Sequence, residues 1–385
     1  MKLFTFLTAA ALVLMSCSSK SEKQTYEVKN INGTDTYINS APSNPGFSYK
    51  FKEILKINGE DPQSDKPERN FYSSSNIAVD SKNNIFLVGD KSNTIKKFDP
   101  NGNFIKSFGR TGKGPGEYTQ AKNLVILKDT LFISDPYSFK IIKLNAEGEY
   151  LSERQMTNRT PEFLLPLKNG EGFIGTDLRA EAEEKVYLIS SISKFNCSFD
   201  KILDYSTVKM EFDPGNPKLN PMDFMAIYTG GENFVYIAEI SEDKYQITVK
   251  DFEDKNKFNI MKGYRKVKLT PEELKKLGDQ VHVSSHEGEI AKNTATDQFN
   301  KAVHGLWTDK YGRLWVLPSR DKKDENDKEL HFDIFENGVY LNTFIPDFYK
   351  DDTDFGMNVK IKFMNGRMYL IDNSVEDICI RVFEY

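Results

Sequence analysis

The chain has 385 residues, a formal net charge of −5 and 12% aromatic residues. Phosphate binding needs a basic surface, so this acidic balance argues against a nucleic-acid partner. Three cysteines are too few for a disulfide scaffold, and we expect Cys197 and Cys379 to be unbonded.

Residues 1–16 have the features of a secretory signal peptide. The mainly apolar run from Leu3 to Met15 is shorter than the roughly 20 residues that cross a bilayer as a helix. The segment LMSC, which ends at Cys17, resembles a bacterial lipobox and implies lipidation of the Cys17 thiol. Ser18 resembles the residue found in lipoproteins sent to the outer membrane, so we expect a cell-envelope protein facing the periplasm or the outside. An ordinary signal peptide is the alternative.

Residues 17–45 are polar and lack periodicity, which predicts a flexible tether to the membrane. The segment from Phe47 to Ile57 then alternates roughly like a strand. We place a single domain over residues 46–385.

Residues 76–120 contain four short apolar runs separated by turns rich in Gly, Asn and Asp. This pattern is typical of a four-stranded antiparallel meander. The predicted strands are 77–79, 85–88, 94–98 and 103–108. A second copy, with the same order of strands and turns, follows over 123–151.

The second strand of this unit recurs along the chain and gives six hairpins in all. Its later copies lie at 172–177, 233–239, 313–318 and 366–372. A sheet of about 45 residues cannot bury both of its faces alone, so copies must stack, and radial stacking produces a β-propeller. We therefore predict an all-β fold, a six-bladed propeller of four-stranded antiparallel blades.

The first unit resembles an NHL repeat in its segments IAVD, NIFLVGD, IKKFD, FG and GKGPGEY, which lie between residues 77 and 118. The whole chain resembles the six-bladed β-propeller lipoproteins of unknown function found in bacteria. This resemblance implies a fold and not an activity, because propellers host unrelated functions.

The last unit has only three predicted strands, at 359–363, 368–371 and 378–383. Pairing with the N-terminal strand at 47–57 would complete this blade and close the ring.

The third and fourth units are less regular than the others. The third is expected at 161–166, 172–176, 186–192 and 195–203, and the fourth at 222–228, 234–240, 245–250 and 258–261. An insertion at 262–300 follows, with a short helix from Pro271 to Leu277 that ends at Gly278. We expect it to lie over one mouth of the ring and to be functional.

Candidate metal ligands are few. His282 and His286 would share a helical face, but their surroundings are β-rich, so an exposed loop is expected. Zinc lyases on NHL-like propellers need several histidines from different blades, and only His304 is so placed. The segment from Asp99 to Asn103 resembles the start of a calcium loop, but such a loop needs a carboxylate at its twelfth position, which here is Arg110, so a hairpin turn is expected. We predict no metal and no cofactor.

In a propeller the first strand of each blade lines the central tunnel, so residues at its beginning face one mouth. The expected ligand-binding positions are Asn76, Asn123, Glu162, Asp223, His304 and Lys360. Amide, acid, base and ammonium groups together suit a polar organic ligand, although the same groups could bond only to one another.

Two functions remain open. The first is a monomeric, lipid-anchored propeller without catalytic activity that binds a glycan, peptide or protein at this mouth. The second is a hydrolase or lyase that acts on an extracellular polymer through Asp223, Glu162 or His304.

Overall fold

A computed structural model describes residues 24–74, 76–88, 93–157, 159–182, 184–220, 223–225, 227–279, 282–284, 290–322, 327–350, 355, 359–374 and 378–385. Within these ranges, six antiparallel sheets stand around a common axis as the blades of a propeller, which confirms the predicted fold. The helices in the described part of the chain are all too short or too polar to span a membrane.

The N-terminal strands come first, followed by the first three blades. The N-terminal strands are β1 (Tyr26–Ile31), β2 (Thr34–Asn39) and β3 (Lys52–Asn58). Blade 1 contains β4 (Asn76–Val79), β5 (Ile85–Val88), β6 (Ile95–Phe98) and β7 (Phe104–Phe108). Blade 2 contains β8 (Asn123–Leu127), β9 (Thr130–Asp135), β10 (Lys140–Asn145) and β11 (Tyr150–Gln155). Blade 3 contains β12 (Glu162–Pro166), β13 (Gly172–Ala182), β14 (Val186–Asn196) and β15 (Lys201–Phe212).

The remaining blades flank the insertion. Blade 4 contains β16 (Tyr228–Gly230), β17 (Phe234–Ala238), β18 (Tyr245–Asp251) and β19 (Asn256–Lys262). The insertion carries α1 (Pro271–Asp279) and the short pair β20 (His282–Ser284) and β21 (Ile290–Lys292). Blade 5 contains β22 (Val303–Thr308), β23 (Leu314–Pro318), β24 (Phe332–Glu336) and β25 (Val339–Phe344). Blade 6 contains β26 (Val359–Met364), β27 (Arg367–Asp372) and β28 (Cys379–Glu384), with β3 as its fourth strand.

The hydrophobic core is divided into six layers, each lying between two neighbouring blades. Blades 6 and 1 share a layer that contains Ile57, Ile77 and Ile380. Blades 5 and 6 share an aromatic layer centred on Trp315, which is fully buried. Each blade therefore excludes water only through its neighbours, as the stacking argument requires.

The ring closes as predicted, since β3 pairs antiparallel with β28 and Ile57 lies opposite Ile380. On the blade 1 side, the side chains of Leu55 and Ile57 contact the turn at Gly102. That glycine has a φ of +82°, and a Cβ there would lie 2.8 Å from Leu55, so the close approach requires glycine. Cys197 and Cys379 are not joined by a disulfide, as expected.

Lysines on third strands connect successive blades, a feature that the sequence analysis missed. The ammonium groups of Lys97, Lys143 and Lys194 each donate to a backbone carbonyl in a turn of the next blade. Their acceptors are the carbonyl oxygens of Ala146, Cys197 and Phe252, at 2.8, 3.0 and 3.0 Å. These bonds repeat with the blades and fix the rotation of one against the next.

The predicted tether is wrong for the part of it that the structure describes. Strands β1 and β2 form a hairpin, and β2 adds in parallel to β19, so blade 4 has six strands. Asn39 is buried; its amide donates to the carbonyl oxygens of Gly338 and Met261 and accepts from the N–H of Tyr340. The segment pairs with the open edge strand of blade 4 through backbone hydrogen bonds. Because it is polar and lacks apolar periodicity, its sequence gave no signal of a strand.

The strand limits predicted for blades 3 and 4 also need correction. The third strand of blade 3 continues without a break over Val186–Asn196, and the fourth is Lys201–Phe212. The first strand of blade 4 is Tyr228–Gly230 and does not begin near residue 222. Beyond the predicted limits, β13 from Asp177 to Ala182 and β15 from Asp204 to Phe212 alternate charged or hydroxyl residues with apolar ones, so their continuous apolar signal stops before their hydrogen bonding does.

Candidate functional site at one mouth of the ring

The predicted site residues lie at the same end of the ring, where the inner strands begin. Asn76, Asn123 and Glu162 are the first residues of β4, β8 and β12. His304 and Lys360 are the second residues of β22 and β26. Asp223 precedes β16 and is not part of it, which corrects the expectation that it stands in an inner strand.

Glu162 and the residue next to it illustrate the geometry of this mouth. The Glu162 carboxylate lies 3.6 Å from the ammonium of Lys122, just before Asn123. Phe163 sits at a bulge with φ of +51° and is 51% exposed. Its carbonyl accepts a hydrogen bond from the Tyr228 hydroxyl at 2.9 Å, which holds the backbone of Phe163 in place. Blade 2 adds Tyr137, which is 68% exposed in the turn after β9.

Asp223 belongs to an ion-pair cluster that attaches the insertion to the ring. Lys301, with a side chain only 9% exposed, contacts the carboxylates of Asp223, Glu242 and Asp297 at 2.6, 3.3 and 3.2 Å. Burial raises the pKa of the Asp223 carboxyl although Lys301 opposes this shift. Burial lowers the pKa of Lys301, but Asp223 and Asp297 outweigh it and the net shift is upward. Both groups are therefore engaged with each other as ions.

His304 is held neutral beside this cluster. Burial lowers its pKa to about 4. Its Nε2 lies 2.6 Å from the Ser319 hydroxyl, which itself donates to the carbonyl oxygen of Lys301 at 2.7 Å. Because the Ser319 proton is used in that bond, Nε2 carries the His304 proton and Nδ1 has the free lone pair.

A cleft lies beside the mouth, where the strands of blade 3 are longer than those of the neighbouring blades. Its volume is about 400 Å³, and its walls come from β14 and β15 on one side and from β17 and β18 on the other. Strand β12 begins opposite Thr176, so the paired strands β13 and β14 extend past the mouth from Asp177 onward. The buried hydroxyl of Ser190 lines the cleft and has no hydrogen-bond partner within the described chain.

Asn76 and Lys360 lie at the seam between blades 6 and 1. The ammonium of Lys362, which the sequence analysis did not select, donates to the side-chain oxygen of Asn76 and to the carbonyl oxygen of Ile77. The seam is also linked by Ser74 and Asn373, which exchange two hydrogen bonds of 2.8 Å. Two lysines at alternate positions of a predicted inner strand were the sequence signal for this feature.

The structure accounts for the segment that resembles a calcium loop. One Asp99 carboxylate oxygen accepts from the backbone N–H groups of Asn101 and Asn103, and the other accepts from the Asn103 amide. This is a hairpin turn in which the acid bonds to its own backbone. Among the residues that are placed, no three metal-ligating side chains cluster. His286 and the side chain of His282 lie outside the described residues.

The protein is an all-β, six-bladed propeller with additional structure at one mouth, namely the extended strands of blade 3 and the insertion. The chain belongs to the DUF5128 family, described as a 6-bladed beta-propeller, whose model matches residues 68–261. Among curated proteins no match was found.

Solved structures with a similar fold include a protein from Bacteroides fragilis NCTC 9343 that is predicted to be exported. It has 14% identity and a TM-score of 0.48, over 90% of this chain and 98% of that one. Virginiamycin B lyase from Staphylococcus aureus has 13% identity and a TM-score of 0.42, over 87% and 100%. A streptogramin B lyase has 14% identity and a TM-score of 0.41, over 87% and 98%.

Proposed function

We propose that this protein is a lipid-anchored, extracytoplasmic propeller that binds a glycan, peptide or protein partner at the mouth where its inner strands begin. The observation that carries this proposal is the concentration of non-repeating structure at that mouth. The extended strands of blade 3, the insertion held by Lys301 and a cleft of about 400 Å³ all lie there. Ligand sites form in concave places lined by apolar and a few polar groups.

The exposed aromatic rings at this mouth support binding. Phe163 and Tyr137 offer flat apolar faces, and a hydrogen bond from Tyr228 holds the backbone of Phe163. Large side chains that stay exposed in fixed positions are typical of contact residues.

The groups that could act in a hydrolase or lyase are already engaged within the chain. Lys301 neutralises Asp223, Lys122 neutralises Glu162, and the Nε2 proton of His304 is directed at Ser319. Binding without catalysis therefore fits these side chains better than acid–base chemistry does.

The proposal is tested by glycan-array and pull-down screening with three proteins: the wild type, Phe163→Ala and Tyr311→Ala. Tyr311 is 54% exposed in the turn after β22, at the opposite mouth, and serves as the matched control. We expect a ligand whose binding weakens about tenfold or more in Phe163→Ala, since loss of a ring contact of about 1.4 kcal/mol has this effect. A ligand lost only in Tyr311→Ala would contradict the site. Turnover of a polymer that disappears in Asp223→Asn would establish the enzyme instead.

The anchor is tested separately through Cys17, which precedes the described residues. Cys17→Ala should move the protein from the membrane fraction to the soluble fraction of the cell envelope. Retention in the membrane fraction would contradict lipidation at this residue.

A further inference from the structure

The seam between blades 6 and 1 holds two lysines that the proposed function does not yet use. Lys360 and Lys362 alternate along β26, so they share one face of the strand. The residues between them, Val359 and Ile361, pack in the layer against blade 5. The two lysines therefore face blade 1, in agreement with the bond from Lys362 to the carbonyl oxygen of Ile77 at 3.1 Å.

Neither ammonium forms an ion pair with any residue that the structure describes. Lys362 reaches only the neutral oxygens of Asn76 and Ile77, and Lys360 makes no hydrogen bond there. Asp372, on the neighbouring strand, instead accepts the backbone N–H of Ser374 at 2.9 Å. Within the described part of the chain, the seam thus carries two positive charges and no carboxylate directed at them.

Some partly buried lysines of the propeller have acidic partners, whereas Lys143 and Lys194 donate to backbone carbonyl groups of the next blade, as Lys362 does. Lys97 contacts Glu147 at 2.7 Å, Lys140 contacts Glu153 at 3.3 Å, and Lys301 contacts three acids. Native proteins generally pair desolvated charges, because an unpaired one costs solvation free energy. Lys360 differs from these lysines, since it contacts neither a carboxylate nor a carbonyl oxygen among the residues that the structure describes.

The cost of this arrangement is visible in the titration of the two amines. Burial lowers the pKa of Lys360. Burial, reinforced by the charge of Lys360, lowers the pKa of Lys362 to about 8. A bound anion would offset both effects by supplying the missing opposite charge.

The surroundings narrow the chemistry of that anion. Lysine is a compact point charge that suits a single carboxylate, and Asn76 and Asn123 add amide groups for hydroxyls or carbonyls. Across the same mouth, Phe163 and Tyr137 present ring faces on which the apolar side of a sugar could lie. We propose that Lys360 and Lys362 bind the carboxylate of an acidic saccharide at this mouth, an inference that rests on the proposed function.

The first test uses trigalacturonate and its methyl ester, which differ only in whether the carboxylates are charged. Calorimetric titration should show the acid binding at least tenfold more tightly than the ester. Lys360→Met should weaken binding of the acid at least tenfold. Lys82→Met, an exposed lysine in the turn after β4 at the other mouth, should leave it unchanged. The proposal is overturned if the acid and the ester bind equally well or if the acid binds Lys360→Met as tightly as the wild type. It is also overturned if the acid does not bind at millimolar concentration. A peptide with a free C-terminus that displaces trigalacturonate, when its amidated form does not, would show that the site takes a peptide carboxylate and would overturn the assignment to a saccharide.

The second test needs no ligand. Because burial desolvates the Lys360 ammonium and none of the described residues pairs with it, Lys360→Met should raise the thermal midpoint of the unliganded protein. Lys82→Met should leave the midpoint unchanged. A lower midpoint in Lys360→Met would show that this charge is already compensated. If a neutral ligand binds and its affinity falls in Phe163→Ala but not in Lys360→Met, the proposed function stands and the acidic-saccharide inference fails.

Discussion

Substitution of Ile57 by alanine tests whether the N-terminal strand closes the ring. Ile57 lies in β3, is 1% exposed, and packs in the layer shared by blades 6 and 1. Its strand pairs with β28, more than 300 residues later in the chain. The substitution therefore weakens a contact that exists only if the two ends of the sequence meet.

The expected magnitude follows from the atoms removed. Isoleucine to alanine deletes three carbon atoms, which is about 2.4 kcal/mol at roughly 0.8 kcal/mol for each. The residual cavity adds to this loss, and buried substitutions of this kind cost about 2 to 5 kcal/mol. We expect Ile57→Ala to lower the free energy of unfolding by about 3 to 4 kcal/mol.

The matched control is Ile54→Ala in the same strand. Ile54 is 36% exposed, and its replacement should cost about 1 kcal/mol or less while sharing the same loss of strand propensity. Guanidinium unfolding of the purified proteins, followed by tryptophan fluorescence, measures both variants. If the two variants lose the same stability, β3 does not complete blade 6 and the ring closure is refuted.

Three further predictions concern pH, the insertion and the N-terminal hairpin. The folded pKa of His304, about 4, lies below its ordinary value of 6.5, so its stabilising contribution is complete above pH 6.5 and is lost as pH falls towards 4. His304→Gln should reduce this acid loss by up to about 3 kcal/mol in unfolding measurements at several pH values, and an unchanged pH profile would contradict the buried neutral ring. Lys301→Met leaves buried acids unpaired, so it should lower the free energy of unfolding by about 3 to 5 kcal/mol and speed amide hydrogen exchange in α1. The control Lys266→Met, at a more exposed ion pair, should change neither quantity much. Asn39→Ala should lower the free energy of unfolding by about 2 to 4 kcal/mol and expose β1 to proteolysis. The control Asn30→Ala, at an exposed position, should have neither effect. Equal effects of the two substitutions would mean that the hairpin is not docked on blade 4.

The regular part of the fold was predictable because its signal is local. The turn that begins at Asp80 and the one that begins at Asp99 use the same acid-to-backbone bonding. Continuous apolar runs such as Ile85–Val88 mark the buried strands directly. Six repeats of this unit, with the last one incomplete, were sufficient to predict both the ring and its closure.

The candidate site was predictable in position but not in its bonding. Knowing that inner strands begin at one mouth places His304 and Lys360 there, whatever their partners are. The partner of Lys362 is Asn76, from the other end of the chain. The partner of His304 is Ser319, which directly follows the paired strand β23, and the sequence pattern gave the pairing of these strands but not this side-chain contact. Nothing in the sequence pairs residues that are 286 positions apart, so Lys362 was not selected.

The amino-acid sequence by itself determined the repeat, the all-β class and the closing strand, because strand period and turn chemistry act over a few neighbouring residues. Only the tertiary structure decided that the polar N-terminal hairpin joins blade 4 and that the strands of blade 3 extend beyond the ring. It also decided that Lys360 faces a seam where none of the described residues directs a carboxylate at it. These features depend on which edges stay open and which charges meet once the blades have stacked, and neither is encoded in local periodicity.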